Sequence, residues 1–87
     1  MREVIFKNKA FDEFHEWVSS DRKLAQRIIR LLKECQRTPF EGIRKPEPLR
    51  GDKSGLWSRR INEEHRLIYK AEEEYLVVYS LPGHYED

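Results

Sequence analysis

The spacing of hydrophobic and polar positions changes early in the chain. Residues 4–6 (Val-Ile-Phe) form a β-branched and aromatic run, which predicts a short strand. Apolar side chains then recur at helical spacing, which predicts an amphipathic helix over residues 9–18 with Asn8 as its N-cap. The predicted apolar face consists of Phe11, Phe14, His15 and Val18. His15 is therefore interpreted as a packing residue.

A second apolar stripe follows a polar break at residues 19–21. Asp21 can cap this helix, and Pro39 disfavours helical backbone at the preceding residue, so we expect the helix to end near Arg37. The stripe consists of Leu24, Ile28, Leu31, Leu32 and Cys35. The connection between the two helices is too short for a strand, which predicts a helical hairpin.

The segment from residue 39 to residue 55 has the composition of a long loop. It contains three of the four prolines and three of the four glycines in the chain. Loops of this length are uncommon inside compact domains and tend to carry function. This segment is therefore expected to carry functional residues.

Three β-rich runs follow the loop, at residues 56–61, 66–70 and 75–81. Short polar segments separate them, which is typical of consecutive antiparallel hairpins. The predicted fold class is α+β in the order β-α-α-β-β-β, with two N-terminal helices packed on one face of a small antiparallel sheet. At this length we expect residues 1–87 to form a single domain.

Charge changes this picture through its distribution. The chain has 17 basic and 16 acidic side chains, a formal net charge of +1. Residues 22–70 nevertheless carry a net charge of +8, between acidic segments of −2 and −5. A basic stretch of this kind is typical of a polyanion-binding protein, but helices also commonly expose Lys and Arg to water. Charge alone leaves both interpretations open.

Several function classes are disfavoured by the residues present. Cys35 is the only cysteine, so no intrachain disulfide is possible, and no metal-ligand spacing or glycine-rich phosphate loop occurs. No apolar run is long enough for a signal peptide or a membrane span. We expect a soluble cytoplasmic protein with no cofactor, no metal and no membrane partner.

The loop and the C-terminus contain candidates for acid–base chemistry. Glu47 lies between Pro46 and Pro48, which restrict the backbone around its carboxylate, although an ordinary exposed glutamate fits the same pattern. His84 and Tyr85 follow the last predicted strand, and a histidine there can exchange protons near neutral pH, although a frayed terminus looks similar. Neither signal is specific by itself.

Arginines within the predicted strands are the third candidate group. Arg59, Arg60 and Arg66 suggest a concave basic sheet face. The pattern alone slightly favours the other interpretation, a solvated face of an antiparallel sheet. A carboxylate, a histidine and several arginines are together what metal-free cleavage of RNA requires. The composition permits this chemistry without establishing it.

Longer motifs give a specific resemblance. They are Arg-Thr-Pro-Phe-Glu-Gly at 37–42, Lys-Pro-Glu-Pro-Leu at 45–49, Ser-Gly-Leu-Trp-Ser-Arg-Arg-Ile at 54–61, Glu-Glu-His-Arg-Leu-Ile-Tyr at 63–69 and the closing His-Tyr at 84–85. In sequence and in order, nearly the whole chain resembles the YoeB-type toxins of the RelE superfamily. The departure from the pattern is modest, since two acidic residues follow the His-Tyr pair.

The resemblance implies a ribosome-dependent mRNA interferase that cuts the codon in the ribosomal A site through the 2′-hydroxyl. It implies Glu47 as general base, His84 as general acid, Tyr85 as an orienting or stacking residue and Arg66 as the group that stabilises the transition state. Arg59 and Arg60, with Lys45 and Lys53 as weaker candidates, would hold the RNA. Arg22, Lys23, Arg27 and Arg30 on the second helix would contact ribosomal RNA.

The resemblance also implies partners. They are a cognate YefM-like antitoxin, the ribosome with its mRNA, and a second copy of the chain in a homodimer. The alternative is a catalytically inactive module of the same fold that acts as a corepressor with its antitoxin or binds ribosomes. The joint presence of Glu47, Arg66, His84 and Tyr85 favours the enzyme, because a degenerate copy has no need to keep all four.

Overall fold

The computed structural model describes residues 1–51 and 55–82. This part of the chain forms one strand, then two helices and then four strands. They are β1 (Glu3–Phe6), α1 (Asn8–Ser20), α2 (Arg22–Arg37), β2 (Glu47–Pro48), β3 (Trp57–Arg60), β4 (Arg66–Ala71) and β5 (Tyr75–Ser80). The α+β class and the helical hairpin predicted from the sequence are confirmed.

The five strands form one sheet in the order β1-β5-β4-β3-β2. Strands β3 to β5 pair in antiparallel fashion, as predicted, and so does β2, a short strand within the segment predicted to be a loop, but β1 lies parallel to β5. The prediction of a wholly antiparallel sheet is therefore wrong. The helical hairpin carries the chain from β1 to β2 at the opposite edge of the sheet, and the strands that follow bring β5 back beside β1, so the parallel pair is joined by the long connection that it requires.

One face of the sheet packs on the helices and encloses the core. The buried side chains of α2 meet the inward side chains of β4 and β5, while the opposite sheet face stays open. The buried residues of α2 are Leu24, Ala25, Ile28, Leu31, Leu32 and Cys35, which confirms the predicted stripe. Asp21 caps this helix as predicted, since its Oδ1 accepts a hydrogen bond from Leu24 N at 3.1 Å.

The predicted apolar face of α1 is wrong except at Phe14, which is half-buried against the core. Phe11, His15 and Val18 are exposed, and the helix instead buries Ala10, Glu13 and Trp17. Asn8 is the first helical residue rather than the N-cap, a position that Lys7 takes without a side-chain cap. Hydrogen bonds to a buried carboxylate explain why α1 turns a different face to the core. Glu13 enters the interior because its Oε1 accepts hydrogen bonds from Leu81 N at 2.6 Å and Ser80 Oγ at 3.2 Å.

Candidate active site

Two side chains predicted from the sequence to act together meet on the open face of the sheet. Strand β2 brings Glu47 opposite Ser58 of β3, and Ser58 lies opposite Ile68 of β4, two residues beyond Arg66. The resulting distance from Glu47 Oε1 to Arg66 Nη2 is 3.7 Å. The chain thus places a carboxylate beside a guanidinium although 18 residues separate them in sequence.

Hydrogen bonds from two directions orient the Arg66 guanidinium. Its Nε donates to Ser58 Oγ at 2.9 Å, and its Nη2 donates to the carbonyl oxygen of Lys45 at 2.5 Å. Within the part of the chain that the structure describes, Nη1 donates to no residue. One edge of the guanidinium is therefore held while another is left for an anion. Sequence reasoning missed Ser58, because a lone serine in a strand carries no distinctive signal.

The backbone before Glu47 is strained. Arg44 and Lys45 have φ angles of 68° and 52°, in the left-handed region that residues other than glycine rarely adopt. Two prolines then flank Glu47, and the edge strand β2 accommodates them because it needs few ladder donors. This geometry turns the Glu47 carboxylate onto the sheet face.

The Glu47–Arg66 pair contributes little to stability, because both side chains are in contact with water. The Glu47 side chain is 64% exposed and the Arg66 side chain 29%. Ion pairs open to water at this level contribute about 0–1 kcal/mol to folding. A carboxylate that is positioned but not sequestered can accept a proton from a bound molecule.

Further cations surround this pair. Arg60 lies directly opposite Arg66 in the ladder, and exposed Lys45 adjoins Arg66 through its backbone carbonyl. Like charges opposite each other on neighbouring strands are destabilising, so this arrangement favours a bound anion. Arg60 N also donates to the carbonyl oxygen of Arg44 at 2.7 Å, which fixes the strained turn against β3.

Arg59 does not lie on this face. The interpretation of Arg59 as part of an exposed basic surface is wrong, because its side chain is fully buried on the helix side of the sheet. Its Nη2 donates to the carbonyl oxygens of Thr38 at 2.7 Å and Glu41 at 2.8 Å. Arg59 therefore anchors the start of the loop that leads to Glu47. Alternation already separates its direction from that of Arg60.

Buried groups beside Arg59 complete the anchor. The Tyr69 hydroxyl donates to the carbonyl oxygen of Pro39, and Cys35 lies in the same cluster. Burial raises the pKa of the Cys35 thiol to about 11 and that of Tyr69 to about 12. The positive charge of Arg59 acts in the opposite sense on both groups. Cys35 is thus a protonated core residue at neutral pH, as its helix position predicts.

These shifts predict a loss of stability in alkali. Cys35 and Tyr69 ionise at higher pH in the folded chain than in the unfolded chain, so the free energy of unfolding falls once the pH rises above about 9. Between pH 9 and 11 the fall from Cys35 is about 1.4 kcal/mol per pH unit. Urea unfolding across this range measures it. In the Cys35→Ala variant the free energy of unfolding should fall less between pH 9 and 11 than in the parent. An identical fall in both proteins would contradict the raised pKa of Cys35.

The basic residues predicted on α2 form a surface around the edge of the sheet. Arg22, Lys23 and Arg30 are exposed, and Arg27 is half-buried because its Nη1 donates to the carbonyl oxygen of Ile61 at 3.3 Å. Arg27, Arg30 and Arg44 line one shared depression. Arg44, which the sequence analysis did not select, thereby joins the basic surface of α2 to the strained turn beside Glu47.

Helix α1 fixes the chain where β5 ends. Glu13 binds Leu81 N, and Trp17 Nε1 donates to the carbonyl oxygen of the same Leu81 at 2.8 Å. Both backbone groups of Leu81 are therefore held three residues before His84. The predicted site residues Lys53, His84 and Tyr85 lie outside the described residues.

The described residues contain no group of three or more His, Cys, Asp or Glu side chains that could hold a metal ion. None of the helices within residues 1–51 and 55–82 has the length and apolar character needed to cross a membrane. What these residues do offer is one positioned carboxylate, one oriented guanidinium and a cationic surround. This set can deprotonate a hydroxyl and stabilise negative charge on a phosphate.

Comparison with known proteins shows which family the chain belongs to. The family model for the YoeB-like toxin of bacterial type II toxin–antitoxin systems matches residues 6–85. The chain is 51% identical to toxin YoeB of Mycobacterium bovis over 85 residues, which is 98% of this chain and 100% of that protein.

Solved structures show the same fold. A YoeB dimer from Staphylococcus aureus superposes with a TM-score of 0.88 at 36% identity, covering 97% of this chain and 98% of that one. The heterotetrameric YoeB–YefM toxin–antitoxin complex of the same organism gives a TM-score of 0.88 at 36% identity, covering 98% and 99%. The chain therefore belongs to the YoeB-like toxin family of bacterial type II toxin–antitoxin systems.

Proposed function

We propose that this toxin is a ribosome-dependent endoribonuclease that cleaves mRNA in the ribosomal A site. The observation that carries the proposal is the Glu47–Arg66 pair, with its carboxylate and guanidinium 3.7 Å apart on an open, cation-lined sheet face. Membership of the YoeB-like family supports it. The reaction class is phosphoryl transfer within the RNA chain.

The proposed reaction is an attack by the ribose 2′-hydroxyl on the adjacent phosphorus. Glu47 takes the proton from the 2′-hydroxyl, and the oxygen forms a bond to phosphorus. Arg66 stabilises the additional negative charge on the phosphate oxygens. His84 donates a proton to the departing 5′-oxygen as its bond to phosphorus breaks, and Tyr85 orients the substrate. The products are a 2′,3′-cyclic phosphate and a 5′-hydroxyl.

Binding is divided between two surfaces. Arg60 and Lys45 border the Glu47–Arg66 pair and are proposed to hold the mRNA backbone, with Lys53 as a further candidate. The second surface contacts ribosomal RNA and consists of Arg22, Lys23, Arg27 and Arg30. Phosphate contacts of both kinds fix position without reading sequence.

We further propose a YefM-like antitoxin as the cognate inhibitor and a homodimer as the toxin's own assembly. The related toxin of Staphylococcus aureus has been solved as a YoeB–YefM complex and as a YoeB dimer. An acidic antitoxin segment that orders on binding would complement the cationic face of this chain. The ribosome and its mRNA place the proposed activity in the cytoplasm.

Purified toxin and programmed ribosomes test this function. Primer extension should show cuts within the A-site codon when the mRNA is on the ribosome, and none when the same mRNA is free. If the toxin leaves ribosome-bound mRNA intact but still binds its antitoxin, the result would instead support the catalytically inactive module. Such a protein would act only as a corepressor or a ribosome-binding protein.

The proposed reaction uses no metal ion. Ribosomes need Mg²⁺, so removal of metal is uninformative, and sulfur substitution at the scissile phosphate is the sharper probe. A metal that contacts the phosphate would make cleavage of the phosphorothioate recover when Mn²⁺ is added. We expect no such recovery for either sulfur diastereomer. Recovery by Mn²⁺ would show that a metal ion takes the part assigned to Arg66.

A further inference from the structure

The open sheet face continues past Arg66 into an apolar depression of about 550 Å³. Its floor and walls are Leu49, Leu56, Ile68 and Tyr79, which we call the apolar shelf, with Lys9 and Ser80 at the rim. This volume lies within the range of small-molecule binding sites. None of the shelf residues belongs to the catalytic set proposed above.

The apolar shelf and the Glu47–Arg66 pair share one face of the sheet. Side chains two residues apart on a strand point the same way, so Leu49 follows the direction of Glu47 and Ile68 follows that of Arg66. Ser58 connects the two regions, because it pairs with Ile68 while its Oγ binds Arg66. A molecule on the shelf would therefore be adjacent to the reacting groups.

A β-bulge directs Tyr79 onto this face. Ile68 pairs with Ser80 and Tyr69 pairs with Val78, so Tyr79 is the extra residue of β5. Bulges of this kind redirect a side chain and recur beside functional sites. The Tyr79 ring lines the depression, and Lys7 Nζ lies 5.3 Å from its centroid. An aromatic ring thus lies next to the exposed positive charge of Lys7.

Charge distinguishes the occupant. Exposed Lys9 lines the shelf and exposed Lys7 lies against its Tyr79 ring on β5. Arg66 lies two residues before Ile68 on β4 and is hydrogen-bonded to exposed Lys45, which precedes β2. Cations at both ends of an uncharged floor match a nucleotide, in which a flat apolar base is flanked by two phosphates. An apolar segment of an antitoxin would gain less from cations at both ends.

We propose that the apolar shelf binds a nucleobase of the nucleotide that adjoins the scissile phosphate, with the Tyr79 ring as its stacking partner. The inference rests on the proposed ribonuclease function and adds a substrate-binding subsite to it. Lys7 and Lys9 pair with the next phosphate along the strand. Stacking tolerates any base, so the shelf positions the RNA chain without reading a particular sequence.

Nuclear magnetic resonance titration of the full toxin tests the shelf without the ribosome. The probe is an all-2′-deoxy trinucleotide, which lacks the attacking hydroxyl, and the control is the same trinucleotide with an abasic central position. We expect shifts at Leu49, Leu56 and Ile68 with the first probe only. Equal shifts with the abasic control, or none at millimolar probe, would overturn the proposal.

Variants separate stacking from folding. Tyr79→Leu should raise the Kd of the trinucleotide about tenfold, the usual effect of losing one base–aromatic stack, whereas Tyr79→Phe should retain binding. Tyr75→Leu is the matched control, since it removes a tyrosine from the same strand outside the shelf. If Tyr79→Leu instead weakens antitoxin binding and leaves the Kd of the trinucleotide unchanged, the shelf is a peptide site and the proposal fails.

The two proposals fail differently. The toxin could show base-dependent shifts at the shelf and yet leave ribosome-bound mRNA intact. That result would contradict the ribonuclease function and support the nucleobase site. Cleavage of ribosome-bound mRNA at the parent rate by Tyr79→Leu, together with equal binding of both probes, would contradict the nucleobase site and keep the ribonuclease.

Discussion

Replacing Glu47 with glutamine is expected to slow cleavage of ribosome-bound mRNA by about 10²- to 10⁴-fold, the contribution typical of a general base. Glutamine keeps the size and hydrogen bonding of the side chain but cannot take a proton from the 2′-hydroxyl. The Glu47 side chain is 64% exposed, so the free energy of unfolding should change by less than about 1 kcal/mol. Single-turnover cleavage on programmed ribosomes measures the rate.

The matched control is Glu41→Gln. Glu41 is an exposed glutamate of the same loop, and only its backbone carbonyl makes a described contact, with Arg59. This variant should cleave at the parent rate. If Glu47→Gln also cleaves at the parent rate while Arg66→Ala is inactive, the base is another group and the role proposed for Glu47 is wrong.

Replacing Arg59 with alanine is expected to destabilise the toxin by about 2–5 kcal/mol. The change empties a fully buried site and leaves the carbonyl oxygens of Thr38 and Glu41 without their donor. Without that anchor the loop can move the Glu47 carboxylate away from Arg66. A displacement of about 1 Å at a catalytic group costs about 10²-fold in rate. Urea unfolding and cleavage rates measure the two effects.

Arg59→Met separates the two effects. Methionine fills much of the volume but donates no hydrogen bond, so its loss of stability should be smaller, about 1–3 kcal/mol, while the loss of cleavage should be similar. Arg60→Met on the open face should show the reverse, with weaker mRNA binding and little change in unfolding. Full cleavage by a folded Arg59→Met variant would contradict the anchoring role.

The fold could be predicted where hydrophobic spacing decides it. Helix α2 follows its apolar stripe because that stripe is the only face it can bury. The rotated face of α1 could not be predicted, since burial of Glu13 depends on hydrogen bonds from distant residues such as Leu81, whose N–H lies 68 residues away in sequence. The parallel pairing of β1 could not be predicted either, because a short apolar run carries no information about which strand it will meet.

The residues of the candidate site could be selected from the sequence, but the arrangement of Glu47 and Arg66 could not be predicted from it. Glu47 and Arg66 stand in motifs that specify them, but their approach depends on the register of β2, β3 and β4. Arg59 and Arg60 are neighbours with the same side chain, and only the pleat places one in the interior. Ser58 and Arg44 act through contacts that arise from folding and have no signature in the sequence.

The most direct test is a message with a single 2′-deoxyribonucleotide at the nucleotide whose 2′-hydroxyl is proposed to attack. With parent toxin on programmed ribosomes, the all-ribose message should be cut within the A-site codon, and the substituted message should stay intact at that bond. Loss of one oxygen atom leaves the base, the phosphate and the codon unchanged. Equal cutting of both messages would contradict cleavage through the 2′-hydroxyl by Glu47 and Arg66.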